Sequence, residues 1–442
     1  MKNQSKGSML LEPIFKSFRM LVLVVILVFT SQLLLSCHFF HKRPNVFLIV
    51  VDTLRYDHLG CYGYPRNTSP NIDLLSRESV VFNNAYSQAG WTYPSFASIM
   101  TSLYPKDHNV TDWNYKIDTS LTTIAEVLDE SGYETYAYPS HFIFADTCGL
   151  EQGFDHYNMG VIKMGYTSEL VTAPKLNELL LNDIENISEP FFIWAHYFDP
   201  HSIYRFHEKF PFGILPADKY DGEIAFTDHH IGKVIEKLKE KKIYDNSIIV
   251  FAADHGEELK EHGRSGHRTL WQEVVHIPLI IKAPGLKPKK VNYNVDQIDI
   301  APTILKLAGL DIPMSYQGRD ILGDNIVDRP VYIERGGGKL ALQKSVIDGH
   351  KKLYQINTEF VDTSASRYKT QAYYENQDYM FDLSVDMREM KNLFPASEYD
   401  SIKTDLESLF NNFYDGKERI ILPGKELDST TVVKLKALGY IQ

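Results

Sequence analysis

Cysteine is scarce in this 442-residue chain: it has three, too few for a disulfide framework. Cys61 and Cys148 read as small buried side chains, although an oxidising compartment would permit them to pair. Positive charge is also short. A formal net charge of -11 argues against a nucleic-acid surface, which needs clustered Lys and Arg to neutralise phosphates. The longest basic cluster, Lys237 to Lys242, alternates with Glu236 and Glu240 in a helical pattern and reads as a solvated helix face. Internal repeats and low-complexity stretches are missing, which excludes fibrous and disordered classes. What is present, 44% apolar and 23% charged residues, is ordinary for a globular protein of one large domain or two smaller ones.

Long hydrophobic runs are few as well, and the one that stands out is N-terminal. Lys2, Lys6, Lys16 and Arg19 precede the apolar run Met20 to Phe29, and Leu34-Leu35-Ser36-Cys37 follows. A basic region, then a short apolar region, then small residues is the order that export machinery reads. The last four residues resemble a bacterial lipobox, in which Cys37 becomes the acylated first residue of the mature protein. The alternative is an uncleaved anchor, because Met20 to Leu35 supplies about 16 mostly apolar residues, just short of a typical span. Either way the expected location is extracytoplasmic and membrane-anchored, and residues 1–43 stand apart from the fold as signal or anchor segment and linker.

Beyond that segment, short apolar runs alternate with longer helical patterns. Asn45 to Val51, Phe191 to His196, Ser247 to Ala253 and Ile277 to Ile281 are continuous runs, as in strands buried on both faces. Helical patterns fall at Leu121 to Glu130, Ser168 to Asn186, Tyr220 to Lys241 and Gln297 to Leu310. The alternation predicts an α/β fold, with a large mostly parallel sheet covered by helices on both faces. Such a catalytic domain would occupy residues 44–325. After it, Gly336-Gly337-Gly338 breaks the chain and strand-like pieces follow near Val331, Leu342, Lys352 and Met380. Helical stretches at Ser397 to Tyr414 and Ser429 to Leu438 complete a smaller C-terminal α/β subdomain, residues 326–442.

Ligands of parallel sheets bind beyond the carboxyl ends of the strands, so the residues there are the place to look. The first run ends in Asp52. The run Ser247 to Ala253 ends in Asp254-His255-Gly256, where carboxylate and imidazole side by side suit a transition metal, with Gly256 allowing a tight turn. In Trp91-Thr92-Tyr93-Pro94-Ser95, Pro94 is suited to be the first residue of a helix, which puts Thr92 at or just before its start. Thr92 then either caps that helix or presents a hydroxyl where free N–H groups bind an anionic ester.

NVFLIVVDTLRYDHLGCYGY, NTSPNIDLLSRESVVFNNAYSQ and WTYPSFASIMTSLYP resemble, in order and spacing, the N-terminal half of sulfatase-family proteins of the alkaline-phosphatase superfamily. So do HYFDPH, FAADHGEELKEHG, GHRTLWQEVVHIPLII and FDLSVDMREMKNL, and KLKALGYIQ at the C-terminus also recurs in such proteins. The resemblance runs over roughly residues 44–395. It implies that Asp52, Thr92, Asp254 and His255 hold one divalent metal ion, and His255 shifts the choice from calcium, still possible, toward zinc or manganese. His201 and His267 match further active-site positions. There they either bind substrate oxygens and protonate the leaving group, or hold a second metal with Asp199. His141 and Arg55 are candidate substrate-binding residues, although a structural ion pair is the other reading of Arg55. Secondary candidates are His196, Glu257, Glu258 and His262, whereas His229 and His230 read as helix-face residues.

Departures from the family pattern bear on mechanism. Sulfatases carry Cys or Ser in C/S-x-P-x-R, which is oxidised to formylglycine. Here Thr92 and Phe96 stand at the Cys/Ser and Arg positions, and Thr92 cannot become that aldehyde. Thr53 stands where a second Asp is usual, and Ser140 near the place of a Lys. What is left resembles the threonine branch of the superfamily, in which a metal-activated hydroxyl attacks the ester and forms a covalent intermediate. The implied activity is hydrolysis of an anionic sulfate or phosphate ester, glycan- or lipid-linked. The alternatives are a phospho-group transferase of the phosphoethanolamine or phosphoglycerol type and a non-catalytic binding protein on the same fold.

Overall fold

The computed structural model describes residues 42–415 apart from 112–114, 146–147, 163–170, 325, 337–341 and 359–375. The expectations on Cys37, on Gly337 and Gly338, on the start of the Ser168 helix and on the stretch Ser429 to Leu438 lie outside these residues. No helix among the described residues is long and apolar enough to cross a membrane.

Strand β1 (Asn45–Val51) is buried at every position, as a run of β-branched and aromatic residues in mid-sheet requires. It pairs in parallel with β5 (Phe191–Tyr197) on one side and β6 (Ser247–Ala253) on the other. Beyond β5 come β3 (Glu134–Tyr138) and β4 (His156–Tyr157), both parallel. Beyond β6 comes β9 (His276–Lys282), which runs antiparallel to β6 and to β2 (Val80–Tyr86). Two short strands, β10 (Lys289–Val291) and β11 (Val295–Asp296), pair in parallel with β2. β9 is thus the reversed strand of a nine-stranded, otherwise parallel sheet. Each large apolar side chain buried in its strands contributes about 1.5–3 kcal/mol, which makes the strand ends a rigid platform for polar groups.

Helices flank the sheet in two groups, one of Pro70–Ser76, Ala173–Ile184 and Pro216–Glu240, the other of Thr92–Thr101, Ile124–Glu130 and Ile300–Leu307. The helix expected from Leu121 begins at Ile124, because Thr123 and Glu126 form a reciprocal capping box there. The stretch Gln297 to Leu310 is broken: a 3-10 turn, Gln297–Asp299, capped by Asp296, precedes the helix Ile300–Leu307.

The four strand-like pieces after residue 325 form an antiparallel sheet of β12 (Val331–Arg335), β13 (Leu342–Asp348), β14 (Lys351–Asn357) and β15 (Gln377–Asp382). Helix Asp400–Tyr414 covers one side of it through Leu406 and Phe410, packed on Val346, Leu353 and Met380. Val331, Ile333, Tyr354 and Phe381 pack instead on Trp271, Leu270 and Tyr86 of the large-sheet body. A small two-stranded ribbon, β7 (Glu258–Leu259) with β8 (Ser265–Gly266), lies in the connection between β6 and β9.

Candidate active site

The carboxyl ends of β1, β2, β3, β5 and β6 point the same way, and the singled-out residues follow them. Asp52 continues β1 by donating its N–H to the Tyr197 carbonyl at 2.8 Å. The backbone then turns at Thr53, whose φ of 54° is a left-handed conformation that costs a β-branched residue about 1–3 kcal/mol. Three contacts hold it there. Thr53 N donates to Asp254 Oδ1 (3.1 Å), Tyr220 Oη donates to the Thr53 carbonyl (2.6 Å), and Arg55 N donates to Tyr220 Oη (2.9 Å). The first of these ties the end of β1 directly to the end of β6.

Asp254 Oδ1 also accepts the His255 N–H at 2.8 Å, so the carboxylate is fixed by two main-chain donors. Gly256 has no left-handed φ. A Cβ there would lie 2.0 Å from the Glu273 carbonyl oxygen, so glycine is required for close approach. The His255 ring donates from Nδ1 to the Gly256 carbonyl (2.8 Å), which leaves the Nε2 lone pair facing Thr92 Oγ1 at 3.2 Å and Asp254 Oδ2 at 3.4 Å.

Thr92 is the first residue of helix Thr92–Thr101, so Pro94 is its third residue and not its first. Any first-turn position suits proline, because those N–H groups have no intrahelical acceptor. No side chain caps this helix, so the Thr92 hydroxyl is not spent on capping, and a helix start of this kind suits an anion.

Asp52, Thr92, Asp254 and His255 are therefore brought together, and all are buried. Burial pushes the Asp52 carboxyl well above the usual carboxylate range, with the charges of Asp254 and Glu257 adding to the effect. Asp254 is also raised, first by burial, against the opposing pull of His255 and its backbone bonds. Two adjacent buried carboxylates need a compensating positive charge to ionise together. Neighbouring imidazoles do not supply it: burial lowers His141, His196 and His267 well below the ordinary histidine value and His201 to about 3. Asp52 Oδ1 and Oδ2, Asp254 Oδ2 and His196 Nε2 are buried with no well-formed hydrogen bond. Ligand atoms of Asp52, His196 and Asp254 all lie within 4.8 Å of one another. A set of unpartnered oxygen and imidazole acceptors fits a divalent cation.

His201 and His267 lie beside this group, their rings 5.1 Å apart, with His267 4.5 Å from the His255 ring. His201 stacks on Phe198 and donates from Nδ1 to the Ser202 carbonyl at 2.7 Å. His267 Nδ1 meets Glu257 Oε1 at 3.3 Å. Burial lifts Glu257 itself to about 7. His141 is fully buried, accepts the Ile143 N–H on Nδ1 (3.1 Å), and packs against Phe142 and Phe198.

Two expectations are corrected. Asp199 does not join His201 and His267 as a metal ligand. Its oxygens accept the N–H groups of Thr172 (2.8 Å) and Ala173 (2.9 Å) and the Thr172 hydroxyl (2.6 Å), which caps helix Ala173–Ile184 from outside. The Arg55 guanidinium is likewise committed elsewhere: it binds Asp57 through Nε (2.9 Å) and Nη2 (2.8 Å), and Glu261 and the Glu257 carbonyl through Nη1. It braces the loop that carries Glu257 and is not presented to a substrate anion. The role of Tyr220 was not foreseen, because nothing in a helical pattern marks a hydroxyl that will clamp a turn 167 residues away.

The sulfatase family model matches residues 44–310. An N-acetylglucosamine-6-O-sulfatase of Bacteroides thetaiotaomicron is 22% identical, over 87% of this chain and 90% of that protein. An arylsulfatase of Clostridium perfringens is 24% identical, over 87% of this chain and 97% of that protein. Among solved structures, the phosphonate monoester hydrolase of Agrobacterium radiobacter superposes with a TM-score of 0.69 at 16% identity, over 84% of this chain and 95% of that one. With its site assembled at the strand ends of such a sheet, the chain belongs to the sulfatase family, the ester hydrolases of the alkaline-phosphatase superfamily.

Proposed function

We propose that this chain is an extracytoplasmic, metal-dependent hydrolase of an anionic ester, phosphate in preference to sulfate, with Thr92 as the nucleophile. The observation that carries the reading is the uncapped Thr92 hydroxyl, 3.2 Å from His255 Nε2 at a helix start and beside two buried carboxylates. Asp52, Asp254 and His255 would hold the ion with Thr92. When bound, it supplies Lewis acidity and offsets the charge of the ester.

The chain's own groups do the rest. First-turn N–H groups of helix Thr92–Thr101 orient the anion's oxygens. Thr92 Oγ, its proton released to solvent, forms a bond to phosphorus while the bond to the leaving oxygen breaks. His267 passes that oxygen a proton from Nε2 as its Nδ1 takes one from Glu257, whose carboxyl burial raises to about 7. Water then attacks phosphorus, its proton returning through His267 to Glu257 as the bond to Thr92 Oγ breaks. The walls of Phe142, Phe198 and the buried histidines keep bulk water from the developing charge.

Preference for phosphate follows from the nucleophile. A formylglycine hydrate can expel sulfate by breaking its own C–O bond, whereas a threonine ester has no second hydroxyl on that carbon. It must be opened at phosphorus or sulfur. A second reading, sulfate-ester hydrolysis, is favoured by the relatives: one is an N-acetylglucosamine-6-O-sulfatase. The glycan-linked ester that such a name describes is the substrate class to test first. The direct comparison is kcat/KM for matched aryl sulfate, phosphate and phosphodiester substrates, expressed as transition-state free energies. Aryl sulfate ahead by about tenfold or more, some 1.4 kcal/mol, would overturn the preference.

A further inference from the structure

The departures from the sulfatase pattern meet at one side chain. His196 is the sixth residue of β5 and has no exposed surface. Its ring stands edge-on to Phe96, 5.1 Å between centroids, and to Phe144, 4.9 Å. Ser140 Oγ is 3.1 Å from its Nδ1. Its Nε2 is 3.3 Å from Asp52 Oδ2, and Asp52 immediately precedes Thr53. The residues that replace the expected Arg and Lys thus both touch His196, and the one that replaces the expected second Asp follows its neighbour.

The direction of the hydrogens decides what His196 offers. The hydroxyl hydrogen of Ser140 goes to the His196 carbonyl oxygen in a short bond. Ser140 Oγ therefore meets Nδ1 as an acceptor, and Nδ1 carries the ring proton. The Ser140 main-chain N–H reaches the same nitrogen only at 3.4 Å, the long limit. Nε2 is then a lone pair, buried, without a hydrogen bond, and grouped with acceptor oxygens of Asp52 and Asp254. Acceptors facing acceptors in a dry site repel unless a cation lies between them. An imidazole whose far nitrogen is fixed by an outer partner while the near one points at a cation is the usual arrangement of a metal-bound histidine.

Charge agrees with this. Relative to the family pattern, Thr53 in place of Asp removes one negative charge, and Phe96 and Ser140 in place of Arg and Lys remove two positive ones, so the local sum falls by one and a further carboxylate would add to the excess. The vacated carboxylate position then needs a neutral donor.

We propose that His196 is a direct ligand of the site's divalent ion, oriented by Ser140 and walled in by Phe96 and Phe144, in place of the second carboxylate that position 53 lacks. The proposal rests on the metal-dependent reading above and deepens it: the shell holds two imidazoles, His196 and His255, and selects zinc or manganese over calcium.

The test reads the metal itself. Wild-type protein, stripped by chelator and reloaded with Zn²⁺, is examined by zinc-edge X-ray absorption, where two imidazoles are expected. His196→Ala is expected to weaken Zn²⁺ and Mn²⁺ binding, measured by titration, by more than the about 10- to 100-fold that loss of an outer partner such as Ser140→Ala causes. A folded wild-type protein that binds the ion with one imidazole, or a His196→Ala protein with unchanged affinity, overturns this proposal and leaves the proposed function standing. A folded wild-type protein that takes up neither ion overturns both.

Discussion

Thr92 Oγ1 and His255 Nε2 face each other at 3.2 Å although 163 residues separate them in sequence. The contact joins a helix start after β2 to the end of β6, so the hydroxyl is placed by the sheet and not by its own helix. Thr92→Ala is expected to abolish measurable turnover while costing about 1 kcal/mol of stability, since one modest hydrogen bond is lost and no cap is removed. Steady-state kinetics beside a denaturant melt check it. Thr92→Cys should not create ordinary sulfatase activity, because Phe96 still occupies the position of the modification motif's Arg.

His267, with Glu257 behind it, is the proposed donor of the leaving oxygen's proton. His267→Ala should then depend on the leaving group. Substrates with poor leaving groups such as alkyl phosphates should slow by about 10²–10⁴-fold, and 4-nitrophenyl phosphate much less. Equal losses on both series would show that His267 binds the anion and transfers no proton.

Much of this architecture could be read in advance, and the reasons are particular. Continuous apolar runs marked β1, β5, β6 and β9 because strands covered on both faces need no polar alternation. β2 escaped because Asn83 and Asn84 interrupt it where its register to β9 shifts between Phe82 and Ala85. The reversal of β9 was illegible, since an apolar run carries no direction. Asp52, Thr92, Asp254 and His255 stood out by following strands or opening a helix. His196 was named only as a secondary candidate because it closes its apolar run instead of following it, and its partner Ser140 is 56 residues away. Arg55 and Asp199 carried the chemistry of a site, but nearby carboxylates and helix N–H groups absorb it.

Stability should carry a pH signature from Glu258, buried in the ribbon beside the site with Thr269, Arg264, His262 and Glu273 around it. Burial raises its carboxyl from the ordinary 4.5 to about 7. Between those values the folded protein holds more protons than the unfolded chain. The resulting stabilisation is fully present below about pH 4.5 and is lost as pH rises through about 7. Glu258→Gln should flatten that decline by on the order of 3 kcal/mol at most, measured by urea melts from pH 5 to 8. An unchanged slope would place the decline on other groups.

Cys37 is the proposed membrane tether. Mass analysis of membrane-extracted protein should find residues 1–36 absent and acyl chains on the new N-terminus, and Cys37→Ala should accumulate precursor. Recovery of Met20 to Phe29 in the mature protein would instead identify an uncleaved anchor.

Because β9 lies beside β6 and runs against it, the connection between them leaves and re-enters the sheet at the same end. That connection carries Asp254, His255, Glu257 and His267 and rests on the small sheet through Trp271. A crossover to a parallel neighbour would have to span the whole depth of the sheet, and its length would be set by that distance. This one has no such span to cover. Its length is therefore free of that constraint, and what limits change around residues 260–264 is the pairing of Glu261 with Arg55 that braces the loop.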